Sequence, residues 1–167
     1  ALLELGRLKA NKLDFKYKST LLSPLIERII SQNGVVIAKK NLQVETRLGC
    51  SVPIMTDSNH FTKILSNLIS NAMKYSKSEI LVSSQCEEGK FCVCVEDNGG
   101  GIEPENRKKI FELFEQADDS HLTRKAKGTG IGLHFVKLLC SEMHYTIECD
   151  QSPTLGGARF RVQGLVE

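Results

Sequence analysis

No run of apolar residues in this 167-residue sequence approaches the roughly 20 that a membrane-spanning helix needs, and no charged-then-apolar leader pattern stands at its start. The expectation is a soluble, cytoplasmic piece. The six cysteines (50, 86, 92, 94, 140 and 149) form no C-x-x-C pair and no cysteine–histidine spacing of the kind zinc sites use, which argues against structural zinc. They read as buried free thiols in a reducing cytoplasm, with Cys92 and Cys94 sharing one face of a strand because they alternate with Val93 and Val95. Charge of one sign is scarce as well. With 22 Lys and Arg against 20 Asp and Glu, a net +2 is too small for wholesale nucleic-acid binding, and the basic cluster Arg7, Lys9, Lys12, Lys16 and Lys18 reads as a solvated face. Two familiar phosphate templates are also missing. Gly128, Gly130 and Gly132 are spaced G-x-G-x-G, whereas the dinucleotide fingerprint needs G-x-G-x-x-G after a strand and the Walker-type loop needs G-x-x-x-x-G-K-[ST].

What is present suits one domain: the length is that of a single folding unit, and 41% hydrophobic residues supply its core. The opening "ALLELGRLKAN" starts in mid-pattern and reads as the last turns of a helix continued from upstream. Leu13, Phe15 and Tyr17 alternate with charged residues and predict a half-buried strand. Ser23 and Pro24 predict a capped helix that Asn33-Gly34 stops, and "VVIAKK" and "LQVETRL" predict two further strands.

Asp57-Ser58 offers a cap for a long helix to about Ser76. On its wheel Phe61, Ile64, Leu65, Leu68, Ile69 and Ala72 form a core face, and Lys63, Ser66 and Ser70 a solvated one. Asn67, Asn71 and Lys74 fall together on a strip between the two. "EILVSSQ" and "FCVCVED" predict a hairpin around Glu88-Gly89 whose second strand runs into "DNGGGI". A charged segment interrupted by "IFELFEQ" follows, then "GTGIGL" opening a helix, then a final hairpin of "YTIECD" with "ARFRVQG".

Each motif alone is ordinary: Asp-Asn-Gly is a turn signal, and a glycine cluster is a common helix entry. Their order is more telling. An asparagine-bearing helix, a strand ending in D-x-G-x-G, a phenylalanine-containing charged segment and GTGIGL at a helix start resemble the ATP-binding domain of sensor histidine kinases. That domain belongs to the Bergerat-fold superfamily, with gyrase-type topoisomerases, mismatch-repair ATPases and a heat-shock chaperone. The resemblance covers Asp14 to Val162. It implies an α/β (α+β) two-layer sandwich, a mixed sheet of about five strands with helices on one face, and a lid at about 103–127. The division it implies is a dimerisation-helix stump over 1–11 and an ATP-binding catalytic domain over 12–167.

The resemblance implies roles residue by residue. Asn71 would coordinate Mg²⁺, with Asn67 and Lys74 near the phosphates; a neutral amide oxygen supplies a hard ligand without adding negative charge beside a triphosphate. Asp97 would accept from the exocyclic amino group of adenine, Gly99 and Gly101 would let the backbone approach the base, and Tyr75 would lie against it. Phe111 and Phe114 would anchor the lid, with Arg124, Lys125 and Lys127 available to the γ-phosphate. Gly128, Thr129, Gly130, Gly132 and Leu133 would present backbone N–H groups to phosphate at the helix start.

Two departures stand out. "SPTLGGARF" has Leu155 where the family's last motif has its first glycine, leaving Gly157 as a structural match. None of His60, His121, His134 and His144 lies in the H-E-x-x-x-P setting of the family's phosphorylated histidine. The resemblance therefore implies an acceptor on a separate dimerisation and histidine phosphotransfer domain, with a response-regulator receiver downstream. The parent would be a homodimer, cytoplasmic or the cytoplasmic part of a membrane-anchored sensor. Two alternatives stand beside this reading: a nucleotide-binding regulatory module without phosphotransfer, and another ATPase of the superfamily.

Overall fold

The computed structural model describes residues 2–10, 13–112 and 131–167. Among the described residues twelve helices and strands follow in chain order: α1 Leu2–Lys9, β1 Lys18–Thr20, α2 Leu22–Gln32, α3 Gly34–Lys39, β2 Gln43–Leu48, β3 Ile54–Thr56, α4 Ser58–Tyr75, β4 Glu79–Glu87, β5 Lys90–Asp97, α5 Gly132–Glu142, β6 Thr146–Gln151 and β7 Ala158–Leu165. Two short 3₁₀ turns, Pro104–Asn106 and Lys109–Phe111, lie between β5 and α5.

The main sheet has the order β2-β4-β5-β7-β6, with β2 parallel to β4 and the other pairs antiparallel. Its inner face supplies Ile80, Val82, Phe91, Val93, Val95, Ile147, Phe160 and Val162 to the core, packed under α2, α4 and α5. Phe61 of α4 meets Phe91 and Tyr145 edge-on, with ring centroids 5.7 and 5.8 Å apart. This is the expected two-layer mixed sandwich. A second, two-stranded sheet of β1 and β3 is added beside it.

α4 forms where the periodicity places it. All six residues of the expected core face are buried, joined by His60 and Met73, and the helix is capped by Asp57, whose carboxylate accepts from the His60 N–H at 2.9 Å. The same carboxylate accepts from the Lys16 N–H at 2.7 Å, so the cap also pins the chain entering β1. Burial raises the Asp57 pKa, but the N–H groups of Lys16 and His60 and the His60 ring outweigh it and hold the carboxyl below its ordinary value. Asp57→Ala is expected to cost about 2 kcal/mol or more in urea unfolding, a lost cap plus a charge-assisted bond. Because the folded pKa is depressed, that contribution is whole above the unfolded value of about 3.9 and disappears as pH falls through the lower folded value. The stability gap between wild type and variant should narrow in that window.

Several local expectations are corrected. Residues 13–17 are not a strand: Leu13 and Phe15 are half-buried as the alternation predicts, but pairing begins only at Lys18, opposite Thr56. The α2 cap is Leu21 without a side-chain bond, and Ser23-Pro24 lies inside the first turn, where proline's missing N–H is tolerated. "VVIAKK" is helical, not extended. Asn33 ends α2 and begins α3, its carbonyl accepting from the Ile37 N–H at 3.0 Å, and no residue of α3 is buried, so no sheet contact favours the extended form. Lys63 and Ser66 are half-buried, Lys63 pairing with Glu4 of α1, while Ser70 is exposed.

Not all cysteines are free. Cys50 and Cys86 form a disulfide with Cα atoms 4.8 Å apart. The β2–β4 register explains it: Leu48 lies opposite Ser84, so continuing two residues brings Cys50 opposite Cys86.

Candidate functional site

The site is built where β5 ends beneath the C-terminal half of α4. Asp97, the last residue of β5, is 1% exposed, and its Oδ1 accepts from the N–H of Gly99 at 2.8 Å and of Ala158 at 3.3 Å. Backbone crowds it on two sides. A Cβ on Gly99 would stand 2.1 Å from the Tyr75 carbonyl oxygen, and one on Gly157 would stand 2.4 Å from the Asp97 carbonyl oxygen. Gly157 also donates its N–H to that oxygen at 3.0 Å. The final glycine motif is thus a wall of the Asp97 pocket as well as a strand entry. Gly101 turns the chain away at φ 74°.

Asn98 holds this corner together, and the sequence reading gave it no role. Its Oδ1 accepts from the N–H groups of Lys77, Ser78 and Glu79, each at 3.0 Å, and its Nδ2 donates to Ser78 Oγ at 3.0 Å. One amide thereby ties the exit of α4 to the end of β5 and fixes the height of Tyr75 over Gly99. The only sequence signal was an asparagine inside a glycine-rich turn, a residue type that commonly bonds nearby backbone.

On α4, Asn67 and Asn71 are half-buried and Lys74 is exposed, as the intermediate strip requires. Asn67 Nδ2 donates back to the Lys63 carbonyl at 2.7 Å, which turns its Oδ1 toward the start of α5: a Cβ on Gly132 would lie 2.9 Å from that oxygen. Asn71 Nδ2 is buried with no hydrogen-bond partner among the described residues. An unpaired buried donor costs about 1–3 kcal/mol unless something else occupies the place. Tyr75 and Leu133 are half-buried.

Phe111 is buried and meets Phe160 edge-on at 6.1 Å, and its carbonyl lies 3.0 Å from His134 Nδ1 on α5. Phe114, His121, Arg124, Lys125, Lys127, Gly128, Thr129 and Gly130 lie outside the described residues. Of the expected site, the structure places Asn67 against Gly132, and Tyr75, Gly99 and Asp97 against one another, with Asn71 between Asn67 and Tyr75 along α4. Among the described residues no group of three or more His, Cys, Asp or Glu side chains is placed to hold a metal ion.

A buried strand-end carboxylate walled by bare backbone thus lies at the exit of an amide-bearing helix whose Asn67 meets a second helix start, within an α/β sandwich. Residues 56–165 match the family described as histidine kinase-, DNA gyrase B-, and HSP90-like ATPase, and the chain belongs to that family. It is 30% identical over 159 residues to the sensor protein RprX of Bacteroides fragilis, covering 92% of this chain and 30% of RprX. It is 32% identical over 166 residues to the sensor histidine kinase TmoS of Ectopseudomonas mendocina, covering 97% of this chain and 17% of TmoS. The chain thus spans less than a third of either relative. Among solved structures, full-length ShkA in complex with AMPPNP superposes with a TM-score of 0.84 at 24% identity, covering 98% of this chain and 34% of ShkA.

Proposed function

We propose that this chain is the ATP-binding catalytic domain of a two-component sensor histidine kinase, placing the γ-phosphoryl group of ATP before a histidine on a separate helical domain. The observation that carries the reading is the Asp97 corner. Its carboxylate is buried, aligned by two backbone N–H groups and bordered by glycine backbone, an oriented acceptor of the kind the adenine amino group needs. Guanine offers a carbonyl at that position and would meet like charge.

The rest of the chain's own work is positioning. Tyr75 lies beside the base corner. Asn67, Asn71 and Lys74 line the strip along which a triphosphate would run toward the start of α5, where Gly132 and Leu133 stand. Magnesium fits this donor set: a hard cation bound mainly by phosphate oxygens and water needs one neutral protein oxygen, and the Asn71 amide is half-buried with its nitrogen unpaired among the described residues. When bound, the ion would neutralise the phosphates. Gly128, Thr129, Gly130 and the cations Arg124, Lys125 and Lys127 would complete the phosphate end. The partners proposed are a dimerisation and histidine phosphotransfer domain of the parent, acting as a homodimer, and a response-regulator receiver domain.

Four measurements test this. Asp97→Asn keeps one oxygen for the two backbone donors but replaces the other acceptor by a donor, so ATP affinity in calorimetry should fall by about 1.5–3 kcal/mol. Equal affinity would remove Asp97 from the site. Incubated alone with labelled Mg-ATP and quenched at alkaline pH, the chain should gain thermal stability, by about 2.7 kcal/mol at 100 times Kd, yet retain essentially no phosphohistidine. Adding a histidine-bearing helical domain as a separate chain should restore weak labelling of that domain, weak because tethering is lost. Stoichiometric label on His60, His121, His134 or His144 overturns the division of labour.

A further inference from the structure

Among the described residues, the sheet face opposite the helices carries a groove, beyond which Leu81 and Glu96 on the same face are buried. Inward residues Val93, Val95, Phe160 and Val162 are buried, while the alternating Cys92, Cys94, Arg159, Arg161 and Gln163 line a groove of about 640 Å³ across β4, β5 and β7. In that groove the sulfurs of Cys92 and Cys94 lie 3.7 Å apart on adjacent outward positions of β5, and Gln163 Nε2 lies 3.8 Å from Cys92 Sγ. Neither thiol belongs to the hydrophobic core, and the bonds that form the Asp97 corner at the end of β5 use neither. We propose that Cys92 and Cys94 form a reactive dithiol in this groove, where Cys92 is the attacking thiol toward small disulfides such as glutathione disulfide and Cys94 is its hydrogen-bond donor. The inference does not rest on the nucleotide reading.

The step balances without further reagents. The Cys92 thiolate attacks one sulfur of the disulfide, a Cys92–S–S–R bond forms, the original S–S bond breaks, and the second half leaves as a thiolate that takes a proton from water.

The surroundings decide which cysteine reacts. The hydrogen bond from Cys94 is the largest influence on Cys92, and Gln163, Arg161 and Arg159 add to it, so Cys92 is held below the ordinary thiol range against the opposing effect of burial. Cys94 is pushed up by the same bond and by burial. From β4, uncharged Gln85 and Ser83 lie opposite the two thiols. From β6, Glu148 and Asp150 pair with Arg161 and Arg159 and moderate their field. Lys90, Glu87, Glu88 and His144 stand further along the groove. Burial pushes Cys140 up to about 12, and Cys50 and Cys86 are bridged, so Cys149 is the remaining competitor.

The adduct should persist as a mixed disulfide. Residues two apart on an extended strand have Cα atoms about 6.6–6.8 Å apart, at the upper edge of what a disulfide accepts, so Cys94 is poorly placed to resolve it without breaking the β5 ladder.

The test uses the 167-residue chain and glutathione disulfide, with peptide mapping of the adduct. A lower pKa also lowers intrinsic nucleophilicity, so at pH 7 Cys92 leads an ordinary thiol by only about three-fold; at pH 6, where an ordinary thiol is less than about 1% ionised, it should lead such a thiol by about ten-fold, and the adduct should map mainly to Cys92. Cys94→Ala, which deletes the donor, should move the pH midpoint of Cys92 alkylation upward by at least about one unit, with the far-ultraviolet spectrum unchanged. An adduct mapped mainly to Cys149 or Cys94, a Cys92–Cys94 disulfide as the end product, or a midpoint insensitive to Cys94→Ala would each overturn the proposal. Mapping on the unaltered chain needs no variant to fold.

Discussion

Asn71→Ala is expected to cut phosphoryl transfer to a histidine-bearing helical domain by at least about 100-fold at saturating Mg-ATP, the scale of losing one preorganised group that meets developing charge or metal. Stability separates this from a folding defect. Asn71 stands off the buried face of α4, and its Nδ2 has no partner among the described residues. Removing it should leave the nucleotide-free melting temperature unchanged or slightly higher, since alanine is the better helix former and an unpaired buried donor is deleted. The rise in melting temperature on adding Mg-ATP should shrink at the same time. Unchanged turnover would take Asn71 out of the metal site, and a large drop in nucleotide-free stability would assign it a structural role instead.

The second large effect is expected at Gly99. Its added Cβ would meet the Tyr75 carbonyl at 2.1 Å and the Asp97 carboxylate at 3.0 Å. The first obstacle is backbone, held in place by the Asn98 bonds to residues 77–79, so no side-chain rotation relieves it. Gly99→Ala should therefore cost about 3 kcal/mol or more in unfolding and, in whatever fraction folds, weaken ATP binding by displacing the base wall. Gly6→Ala is the matched control. An alanine there meets nothing within 4 Å and lies in α1, so it should be neutral or stabilising by up to about 1 kcal/mol. Gly99→Ala with wild-type stability and affinity would show that the corner yields easily.

Much of this site was legible because its elements announce themselves locally. α4 combines an apolar period of 3.6 with an aspartate cap, and both signals act within the helix itself. β4 and β5 are joined by Glu88-Gly89, both at positive φ, as a tight hairpin needs. What was misread depended on partners distant in the chain. Val35, Val36 and Ile37 favour a strand by propensity, yet the chain at that point has only its own carbonyls to bond, so a short exposed helix forms. The bridge between Cys50 and Cys86 depends on a parallel register across 36 residues, which spacing alone does not reveal. Asn98 looked like turn punctuation because the three N–H groups it serves belong to the α4–β4 connection, about twenty residues earlier in the chain.

The place of β5 in the sheet has a kinetic consequence for the pocket. It lies at the centre of the five strands, hydrogen-bonded to β4 on one side and β7 on the other, with Asp97 as its last residue. Amide protons along β5 should therefore exchange with solvent only through near-global opening, while those of the edge strands β2 and β6 exchange through smaller excursions. A base docked on Asp97 would rest on the slowest-exchanging part of the molecule. Deuterium uptake there should then fall when nucleotide is added, by about 100-fold in exchange rate at 100 times Kd, because binding to the folded state opposes the same near-global opening.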